Sequence, residues 1–255
     1  MVKLGGATLG SHDTTIEDIV KLQQQGKSLI VVHGGAKVVT GWLSKQGIST
    51  RFVEGERVTD EVALEMVTAV LGGLVNKEIV AAINSLGGQA VGISGVDGGL
   101  IQGKIKDKEL GYTGTVVKVN ITPLMLLLQS GYIPVVAPIS LRLLDETDEA
   151  PQLLNINGDP VAGEIAAAIG AERLIFLTDI AGICDSSGNL LPQLTSDEAE
   201  ALLASGVATG GMIPKIKASL RALFSTSTTH IIDGRQPHAL FREIEEGSGG
   251  TTIQK

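Results

Sequence analysis

Two lysines and one aspartate have the side-chain chemistry that phosphoryl transfer uses. Lys3 lies inside an apolar run, where a charge is costly unless it faces a site. Lys215 follows a glycine turn and Pro214 at the start of a helical period, so its ammonium could lie near bound phosphates. Asp159 precedes Pro160, which suits the first position of a helix that Asp159 would cap. An edge lysine, a solvated lysine and a simple cap remain the ordinary alternatives.

Two glycine pairs follow predicted strands and could bind an anion. Gly5 and Gly6 follow the first apolar run, and Gly34 and Gly35 follow a run that ends at His33. Without Cβ atoms such turns let backbone N–H groups point at an anion, and a following helix N-terminus adds partial positive charge. Tight strand-to-helix turns, with the histidine as a polar strand end, are the alternative.

Arg57 is a candidate for carboxylate recognition. It stands just before a helix whose start is marked by Thr59 or Asp60. Arginine binds carboxylates through a bidentate fork, although an exposed arginine with no ligand is equally compatible with the sequence. The common nucleotide signatures are missing: no G-x-G-x-x-G follows a strand, and Gly98–Lys104 has the phosphate-loop spacing but is followed by Ile105 instead of a hydroxyl residue.

The elements that must position these residues alternate between strand and helix. Each apolar run ends in glycine or polar residues, which predicts an α/β protein with a largely parallel sheet. Ligands of such sheets collect beyond the carboxyl ends of the strands. The predicted strands are Ser28–His33, Ala90–Ser94, Tyr132–Ile139 and Arg173–Thr178, and the predicted helices include Thr59–Leu86 and Pro160–Gly170.

Three further segments bear on the organisation of the chain. Short runs of alternating apolar and polar residues between Gly98 and Val119 predict antiparallel hairpins. The acidic segment Asp145–Pro151 is a candidate boundary between two lobes. The tail that ends in Thr251-Thr252-Ile253 is either flexible or a last edge strand entered through a glycine turn.

Composition excludes several classes of function. Aromatic residues make up 3% of the 255 residues and the formal net charge is -8, which disfavours nucleic acid and anionic membranes. No apolar run reaches the ~18 residues of a membrane span, and the N-terminal residues lack a signal-peptide pattern. The single cysteine, Cys184, excludes an intrachain disulfide and fits a reducing compartment; we expect it in the core. We therefore predict a cytoplasmic protein with no nucleic-acid or membrane partner.

Taken together, these segments resemble the amino acid kinase family. The resemblance covers nearly the whole chain and depends on the order and spacing of many short pieces. These are Lys3-Leu4-Gly5-Gly6, Val32-His33-Gly34-Gly35, Gly55-Glu56-Arg57-Val58-Thr59-Asp60, Val75-Asn76-Lys77-Glu78-Ile79-Val80, Gly131-Tyr132-Ile133-Pro134-Val135, Asn155 to Asp159, Leu177-Thr178-Asp179, Gly210 to Lys215 and Gly250-Thr251-Thr252-Ile253.

The resemblance implies an open three-layer αβα sandwich around a largely parallel sheet, the amino acid kinase or carbamate kinase-like fold. Residues 1–150 would form an N-terminal lobe for the acyl amino acid and for dimerisation, and residues 151–255 a C-terminal lobe for ATP and Mg²⁺. The implied reaction transfers the γ-phosphate of ATP to the side-chain carboxylate of N-acetyl-L-glutamate in arginine biosynthesis. The carboxylate is already ionised at neutral pH, so no general base is needed.

Site roles carry over residue by residue. Lys3 and Lys215 would stabilise the transferring phosphoryl group, and Asp159 would hold both lysines. The glycine backbones would donate to phosphate and substrate oxygens. The substrate-binding residues would be Gly34, Gly35, Ala36, Arg57 and Asn155; the ATP-binding residues would be Gly5, Gly6, Asp179, Gly182, Ile183, Thr209, Gly210 and Gly211. No protein side chain is expected to bind the metal.

The chain departs from the family pattern in three ways. Ala36 replaces a third glycine, and Gly158 and Pro160 flank the aspartate where the family usually has alanine and a non-proline residue. Arginine-inhibited hexameric members carry an extra N-terminal helix, and this chain begins at the strand, so we expect a homodimer that arginine does not inhibit. Whether a nitrogen-signalling protein binds the surface stays open.

Two alternatives also remain. One is a sister kinase acting on N-acetyl-α-aminoadipate in lysine biosynthesis, because a single methylene is discriminated by only ~1–3 kcal/mol. The other is a catalytically silent nucleotide-binding regulator, suggested by Ala36 and Pro160.

Overall fold

The computed structural model describes residues 1–5, 14–143, 151–247 and 249–255. The strands are β1 (Val2–Leu4), β2 (Val31–His33), β3 (Phe52–Val53), β4 (Glu56–Arg57), β5 (Ala90–Ser94), β6 (Ile101–Ile105), β7 (Gly114–Val119), β8 (Ile133–Ala137), β9 (Ile139–Arg142), β10 (Leu153–Asn155), β11 (Arg173–Thr178), β12 (Gln193–Thr195), β13 (Thr228–Asp233) and β14 (Thr251–Gln254). The helices are α1 (Thr15–Gln24), α2 (Ala36–Lys45), α3 (Glu61–Val67), α4 (Asn76–Ser85), α5 (Thr122–Gln129), α6 (Gly158–Ile169), α7 (Ser196–Ala204), α8 (Met212–Ala222) and α9 (Ala239–Glu246).

An eight-stranded sheet organises the molecule in the order β12-β14-β13-β11-β1-β2-β8-β5. All neighbours from β13 to β5 pair in parallel, and only the β13–β14 pair is antiparallel. The largely parallel sheet predicted from the sequence is therefore confirmed. The C-terminal tail is a strand, but it lies one position in from the edge, between β12 and β13.

Helices cover both faces of this sheet. Successive strand residues alternate between two hydrophobic clusters, as the pleat requires. Val2 and Leu4 join the cluster formed by α1–α4 and α9, whereas Val32 and Phe176 join the cluster formed by α5–α8. The three-layer αβα arrangement is confirmed. Because Lys3 lies between Val2 and Leu4 on a central strand, its side chain is directed to the face that α6 covers.

The helix predicted over Thr59–Leu86 runs from Glu61 to Ser85 and contains a π-helical segment, Thr68–Val75, between α3 and α4. Asp60 caps its start by accepting a 2.8 Å hydrogen bond from the Ala63 N–H. It is 25 residues long and has an 18-residue window with a mean hydropathy of 1.6, so by length and composition it would be able to cross a membrane. Its apolar side chains, however, pack against the sheet within the first hydrophobic cluster, as in the core helix of a globular protein.

A second, four-stranded sheet has the order β10-β9-β6-β7. The pairing of β6 with β7 is antiparallel, which confirms the hairpin predicted between Gly98 and Val119. The acidic segment predicted as a boundary lies outside the described residues, except for Pro151. Strands from both sides of that segment belong to the large sheet, which the β1–β11 pairing makes continuous.

Three local predictions are wrong. Cys184 is exposed and not in the core, because it follows the sheet in a surface turn. The strand predicted over Ser28–His33 is shorter and begins at Val31. Asp159 does not cap α6: Asn157 is the N-cap and accepts a 3.0 Å hydrogen bond from the Asp159 N–H, so Pro160 is not the first helical residue.

Candidate active site

Three charged side chains from different elements meet above the carboxyl end of β1. Lys3 extends from the middle of that strand, Asp159 from the first turn of α6 and Lys215 from the first turn of α8. The Lys3 Nζ lies 2.7 Å from one carboxylate oxygen of Asp159, and the Lys215 Nζ lies 3.0 Å from the other. The structure thus brings together the residues that the sequence singled out for phosphoryl transfer.

The carboxylate of Asp159 is ionised in this arrangement. Burial by itself would raise its pKa, but the charges of Lys3 and Lys215 and their hydrogen bonds outweigh burial, so that the pKa is lowered. Both lysines line a cavity of 260 Å³, whereas Asp159 is not among the residues that line it. Asp159 therefore fixes the positions of two ammonium groups without itself being presented to the cavity.

The same cavity contains most of the residues predicted to bind the acceptor substrate. It extends between the charged triad, the start of α2, the β3–β4 hairpin and the end of β10. Its lining includes the predicted residues Lys3, Gly5, Gly34, Gly35, Ala36, Arg57, Asn155, Asp179 and Lys215. Gly6, predicted to bind ATP, lies outside the described residues.

The glycine turns differ from the prediction in which N–H groups are available. The Gly5 N–H donates to the Leu177 carbonyl and the Gly34 N–H donates to the Leu4 carbonyl, both at 2.9 Å, so these two groups extend the sheet and do not face a ligand. Gly35 is the N-cap of α2, with a φ of 152° that disfavours any other residue. Within the described part of the chain its N–H has no acceptor, which leaves it available at the cavity wall.

Arg57 is anchored at the start of α2 on one side only. Its Nη2 donates to the Ala36 carbonyl at 2.9 Å and to the Thr40 hydroxyl at 2.8 Å. Its Nη1 is buried and has no partner among the described residues, although burial lowers the pKa of the guanidinium, which stays charged at neutral pH. A buried unpaired N–H is costly, so the unpaired Nη1 beside a helix N-terminus indicates a site for an anionic ligand.

Asn155 is tied to Arg57 through two threonines. Its Nδ2 donates to the Thr59 hydroxyl at 3.0 Å, the Thr59 and Thr113 hydroxyls lie 2.9 Å apart, and Thr113 donates to the Arg57 carbonyl at 2.5 Å. Both threonines are buried. Thr113 lines the cavity but was not singled out from the sequence, because a hairpin threonine carries no local signal of a site.

Other residues of the cavity wall were also missed. Lys37 lies in the first turn of α2 and lines the cavity. Its position two residues after the glycine pair is a sequence signal that could have identified it. Val67 and Leu71 line the cavity from the helix that contains the π segment. The Cδ2 of Leu71 lies 2.5 Å from the position that a Cβ on residue 35 would occupy, so Leu71 packs closely against the glycine turn.

A second cavity, of 470 Å³, adjoins the first on the α8 side. Its lining includes five residues predicted to bind ATP: Asp179, Gly182, Ile183, Thr209 and Gly211. Gly210, also predicted to bind ATP, is not in the lining but forms the adjacent turn, where its carbonyl accepts a 3.3 Å hydrogen bond from the Ile213 N–H. The two cavities share Thr178, Asp179 and Lys215. A group bound in one cavity can therefore reach a group bound in the other only past Lys215 and the strand end.

The Gly182–Ile183 turn of the second cavity is held by the C-terminal strand. The Ile183 N–H donates to the Thr251 hydroxyl at 2.8 Å, and a Cβ on Gly182 would lie 2.7 Å from the same oxygen. Gly182 is therefore required for packing against β14, and the Ile183 N–H is already occupied. Within the described ranges, no three His, Cys, Asp or Glu side chains converge as a metal site would require.

Comparison with known proteins agrees with this geometry. Residues 1–233 match the amino acid kinase family. The chain belongs to this family. It is therefore a kinase that uses ATP and a small-molecule acceptor. An acetylglutamate kinase of Dehalococcoides mccartyi (strain CBDB1) is 50% identical over 253 residues, which are 99% of this chain and 93% of that protein.

Two solved structures share the fold of this chain. The crystal structure of smu.665 from Streptococcus mutans UA159 is 26% identical, covers 99% of this chain and 97% of that one, and superposes with a TM-score of 0.83. Carbamate kinase from Giardia lamblia bound to AMP-PNP is 14% identical over 100% of this kinase and 97% of that chain, with a TM-score of 0.69. The second comparison supports the fold alone.

Proposed function

We propose that this kinase transfers the γ-phosphate of ATP to the side-chain carboxylate of N-acetyl-L-glutamate and forms N-acetyl-L-glutamyl 5-phosphate for arginine biosynthesis. The observation that carries the proposal is that one cavity is lined both by Arg57, whose Nη1 has no partner among the described residues, and by the Lys3 and Lys215 ammoniums. A dicarboxylate needs this combination, because one carboxylate must be bound while the other reacts. The acetylglutamate kinases at up to 50% identity support the choice of substrate.

In the proposed reaction the acceptor lies in the 260 Å³ cavity. The Nη1 of Arg57 and the N-terminus of α2 bind its α-carboxylate, and Asn155 contributes to the same end. The side-chain carboxylate oxygen attacks the γ-phosphorus, a new P–O bond forms, and the bond to the β,γ-bridging oxygen breaks so that ADP leaves. No proton moves, because the attacking oxygen is already ionised.

The lysines supply charge stabilisation. As the γ-phosphoryl group leaves ATP, negative charge spreads over its oxygens, and preorganised cations at that point lower the barrier. Lys3 and Lys215 are preorganised because Asp159 binds one ammonium with each of its carboxylate oxygens. The proposed role of Asp159 is thus to position the lysines.

ATP would occupy the 470 Å³ cavity with its phosphates directed to Lys215. Mg²⁺ bound to the phosphates would neutralise their charge. The residues fit a metal held mainly by phosphate oxygens: Asp159 is already paired with two lysines, and Asp179 is the carboxylate that lines both cavities. In contrast to the sequence-based expectation of no metal-binding side chain, we therefore propose that Asp179 contacts the metal directly or through water.

The proposal also includes a division of labour between two lobes, a homodimer and a cytoplasmic location. The acceptor cavity is formed mainly by residues before position 150 and the nucleotide cavity entirely by residues after it. Val62 on α3 and Leu86 beyond α4 are 53% and 49% exposed, which is compatible with burial against a second copy. The need for ATP and the exposed thiol of Cys184 fit a reducing, ATP-rich compartment. Light scattering would measure the oligomeric state directly.

An ATP-dependent assay that traps acyl phosphate with hydroxylamine tests the proposal. N-acetyl-L-glutamate, N-acetyl-α-aminoadipate, free L-glutamate and L-aspartate would be compared at equal concentrations. We expect the highest kcat/KM for N-acetyl-L-glutamate. Preference for the longer acid would place the kinase in lysine biosynthesis, and no hydroxamate from any acid would favour a catalytically silent protein.

A pair of variants locates the acceptor site in the same assay. Arg57→Lys keeps a positive charge but loses the fork that joins Ala36, Thr40 and the ligand, so we expect the KM for the acceptor to rise while the KM for ATP stays constant. Arg51→Lys is the matched control, because Arg51 is exposed and its Nη2 only contacts the Glu109 carbonyl at 3.4 Å. Equal effects of the two substitutions would contradict the assignment.

A further inference from the structure

We propose that His33 is a positioning residue: it holds the peptide bond between Gly34 and Gly35 in the one orientation that presents the Gly35 N–H to the acceptor's oxygen atoms. The inference rests on the proposed function, because it assigns that N–H to an anionic acceptor. His33 itself is fully buried and is not in the cavity lining, so it acts through the glycine turn.

The hydrogen bonds of His33 specify a single tautomer. Its Nδ1 lies 2.8 Å from the Gly34 carbonyl, which can only accept, so the Nδ1 carries a proton. Its Nε2 lies 3.2 Å from the Nδ2 of Asn76, an amide donor, so the Nε2 accepts. Both contacts require the neutral imidazole with its proton on Nδ1.

The orientation of Asn76 is itself fixed. Its Nδ2 also donates to the Val135 carbonyl at 2.9 Å, and its Oδ1 accepts from the Lys77 Nζ at 3.0 Å. An exchange of the amide nitrogen and oxygen would break both bonds. Asn76 is fully buried at the start of α4, where the π segment ends. The imidazole is therefore anchored to β8 and α4 at its far side.

Burial keeps the ring neutral at physiological pH. It lowers the pKa of His33 to about 4; the bond to Gly34 opposes this shift, and the charges of Lys3 and Lys77 add to it. At pH 7 the ring can thus donate from Nδ1 and accept at Nε2, as the two bonds require.

The bond to the Gly34 carbonyl determines where the next N–H points. In a trans peptide the C=O and the following N–H point in opposite directions. With the Gly34 carbonyl held by His33, the Gly35 N–H is turned to the other side, where no acceptor is present among the described residues. The Gly34 N–H is bound to the Leu4 carbonyl at 2.9 Å, and Leu71 packs against Gly35, so the turn is restrained on both flanks.

Two glycines in sequence would otherwise allow this peptide to rotate. Gly35 already has a φ of 152°, which only glycine adopts readily, and glycine has the lowest barrier to alternative conformations. Rotation would place the Gly34 carbonyl in the cavity, where its partial negative charge would repel an anionic acceptor. A hydrogen bond to a charged group contributes about 10- to 100-fold in affinity.

Two substitutions separate positioning from packing. His33→Asn places an amide nitrogen near the position of Nδ1 and can still donate to Gly34. His33→Gln places its amide near the position of Nε2 and loses that donor while keeping a contact with Asn76. Both remove ring volume from a buried site, so both should lower the melting temperature.

Kinetics of the acceptor give the decisive comparison. We expect His33→Gln to lose about 10- to 100-fold in kcat/KM for N-acetyl-L-glutamate through a higher KM for this acceptor, with the KM for ATP unchanged, and His33→Asn to recover most of that loss. Equal losses in the two variants, or activity that follows only the melting temperature, would show that His33 merely fills space. An increase in the KM for ATP as large as that for the acceptor would also refute the assignment.

A measurement on the unaltered protein keeps the inference testable if the variants do not fold. Nitrogen chemical shifts of ¹⁵N-histidine distinguish the two neutral tautomers, and the chain has 4 histidines. We expect the spectrum at pH 7 to contain the signal of one neutral ring that is protonated on Nδ1. The absence of this signal in His33→Asn would assign it to His33. If that variant does not fold, slow exchange of the Nδ1 proton with solvent would assign the signal to the buried ring. An Nε2-protonated or charged His33 would overturn the inference. If no carboxylic acid is phosphorylated, the proposed function fails. The tautomer measurement remains a separate test of whether His33 makes the proposed hydrogen bonds to Gly34 and Asn76.

Discussion

Replacing Asp159 by asparagine removes one charge and leaves the shape of the side chain almost unchanged. The side chains of Lys3, Asp159 and Lys215 are only 8%, 4% and 13% exposed, so two buried ammoniums would then share a neutral amide. Breaking a buried ion pair by removing one partner costs about 3–5 kcal/mol. Against a total stability of about 5–15 kcal/mol the variant should still fold, with its melting temperature lowered by about 6–20 °C.

The effect on catalysis should fall on kcat. Without the carboxylate the two lysines repel each other and leave their positions, and a displacement of about 1 Å in a catalytic group costs about 10²-fold. Because Asp159 lines neither cavity, the KM for ATP and the Mg²⁺ concentration at half-maximal rate should not change. A coupled assay of ADP release, run at several Mg²⁺ concentrations, measures all three quantities.

Two further variants test whether the effects come from the unpaired lysine charges. Lys3→Met combined with Asp159→Asn removes one of the unpaired charges, so stability should partly recover while activity stays lost. Asp233→Asn is the control, because Asp233 also pairs with a cationic side chain, but that of Arg235 is 57% exposed, and exposed ion pairs contribute little to stability. A changed Mg²⁺ dependence in Asp159→Asn would refute the positioning role and indicate a metal ligand.

The pH dependence of stability has a definite sign. The folded-state pKa of Asp159 lies below its ordinary value of 3.8, so its stabilisation is present above that value and is lost as the pH falls through the folded-state pKa. The difference in melting temperature between the wild type and Asp159→Asn should therefore be constant near neutrality and shrink only in strong acid. A difference that shrinks between pH 7 and 5 would contradict this.

Three further predictions follow from individual contacts. Gly35→Ala should lower the free energy of unfolding by about 1–3 kcal/mol, because φ at this position is 152° and the new Cβ would lie 2.5 Å from the Leu71 Cδ2. Thermal unfolding measures the loss. A second substitution, Leu71→Ala, should relieve the close contact but not the backbone strain. Gly158→Ala should cost about 1 kcal/mol or less, since the new Cβ lies 3.2 Å from the His33 carbonyl oxygen, and full activity in the hydroxamate assay would agree with it. ATP should slow maleimide labelling of the exposed Cys184 by up to about 100-fold at 100 times its Kd, because this thiol lines the second cavity; unchanged labelling would place the nucleotide elsewhere.

The sequence was sufficient for the layers of the fold and for the convergence of the catalytic charges. Parallel strands place their carboxyl ends at one edge of a sheet, so glycine turns and polar residues after separate strands were expected to meet there. The charged triad satisfies that expectation, although Lys3 and Lys215 are 212 positions apart in the chain. Its distances could not be foreseen, because they depend on how α6 and α8 pack against β1.

Features that depend on the choice among equivalent local partners were missed. Asn155, Asn157 and Asp159 all offer a capping oxygen, and only the backbone path selects Asn157. The π segment Thr68–Val75 is apolar on almost every side, so its sequence does not distinguish a π-helix from an α-helix. Tertiary contacts select both conformations, and both affect the site. Because Asn157 caps α6, the Asp159 carboxylate is available to pair with the two lysines. The π segment ends immediately before Asn76, which contacts His33.

The acceptor cavity carries a local charge opposite to that of the whole chain. The formal net charge is -8, yet the cavity is lined by Lys3, Lys37, Arg57 and Lys215 and by the N-terminus of α2, against Glu56 and Asp179. Glu56 is already paired with Lys106 at the rim. A concave site walled by apolar residues concentrates such a field, so anions are drawn to this cavity and repelled elsewhere. Because Asp159 holds Lys3 and Lys215 and the Ala36 carbonyl and Thr40 hydroxyl hold Arg57, the field is in place before substrate binds, as electrostatic stabilisation of a transferring phosphoryl group requires.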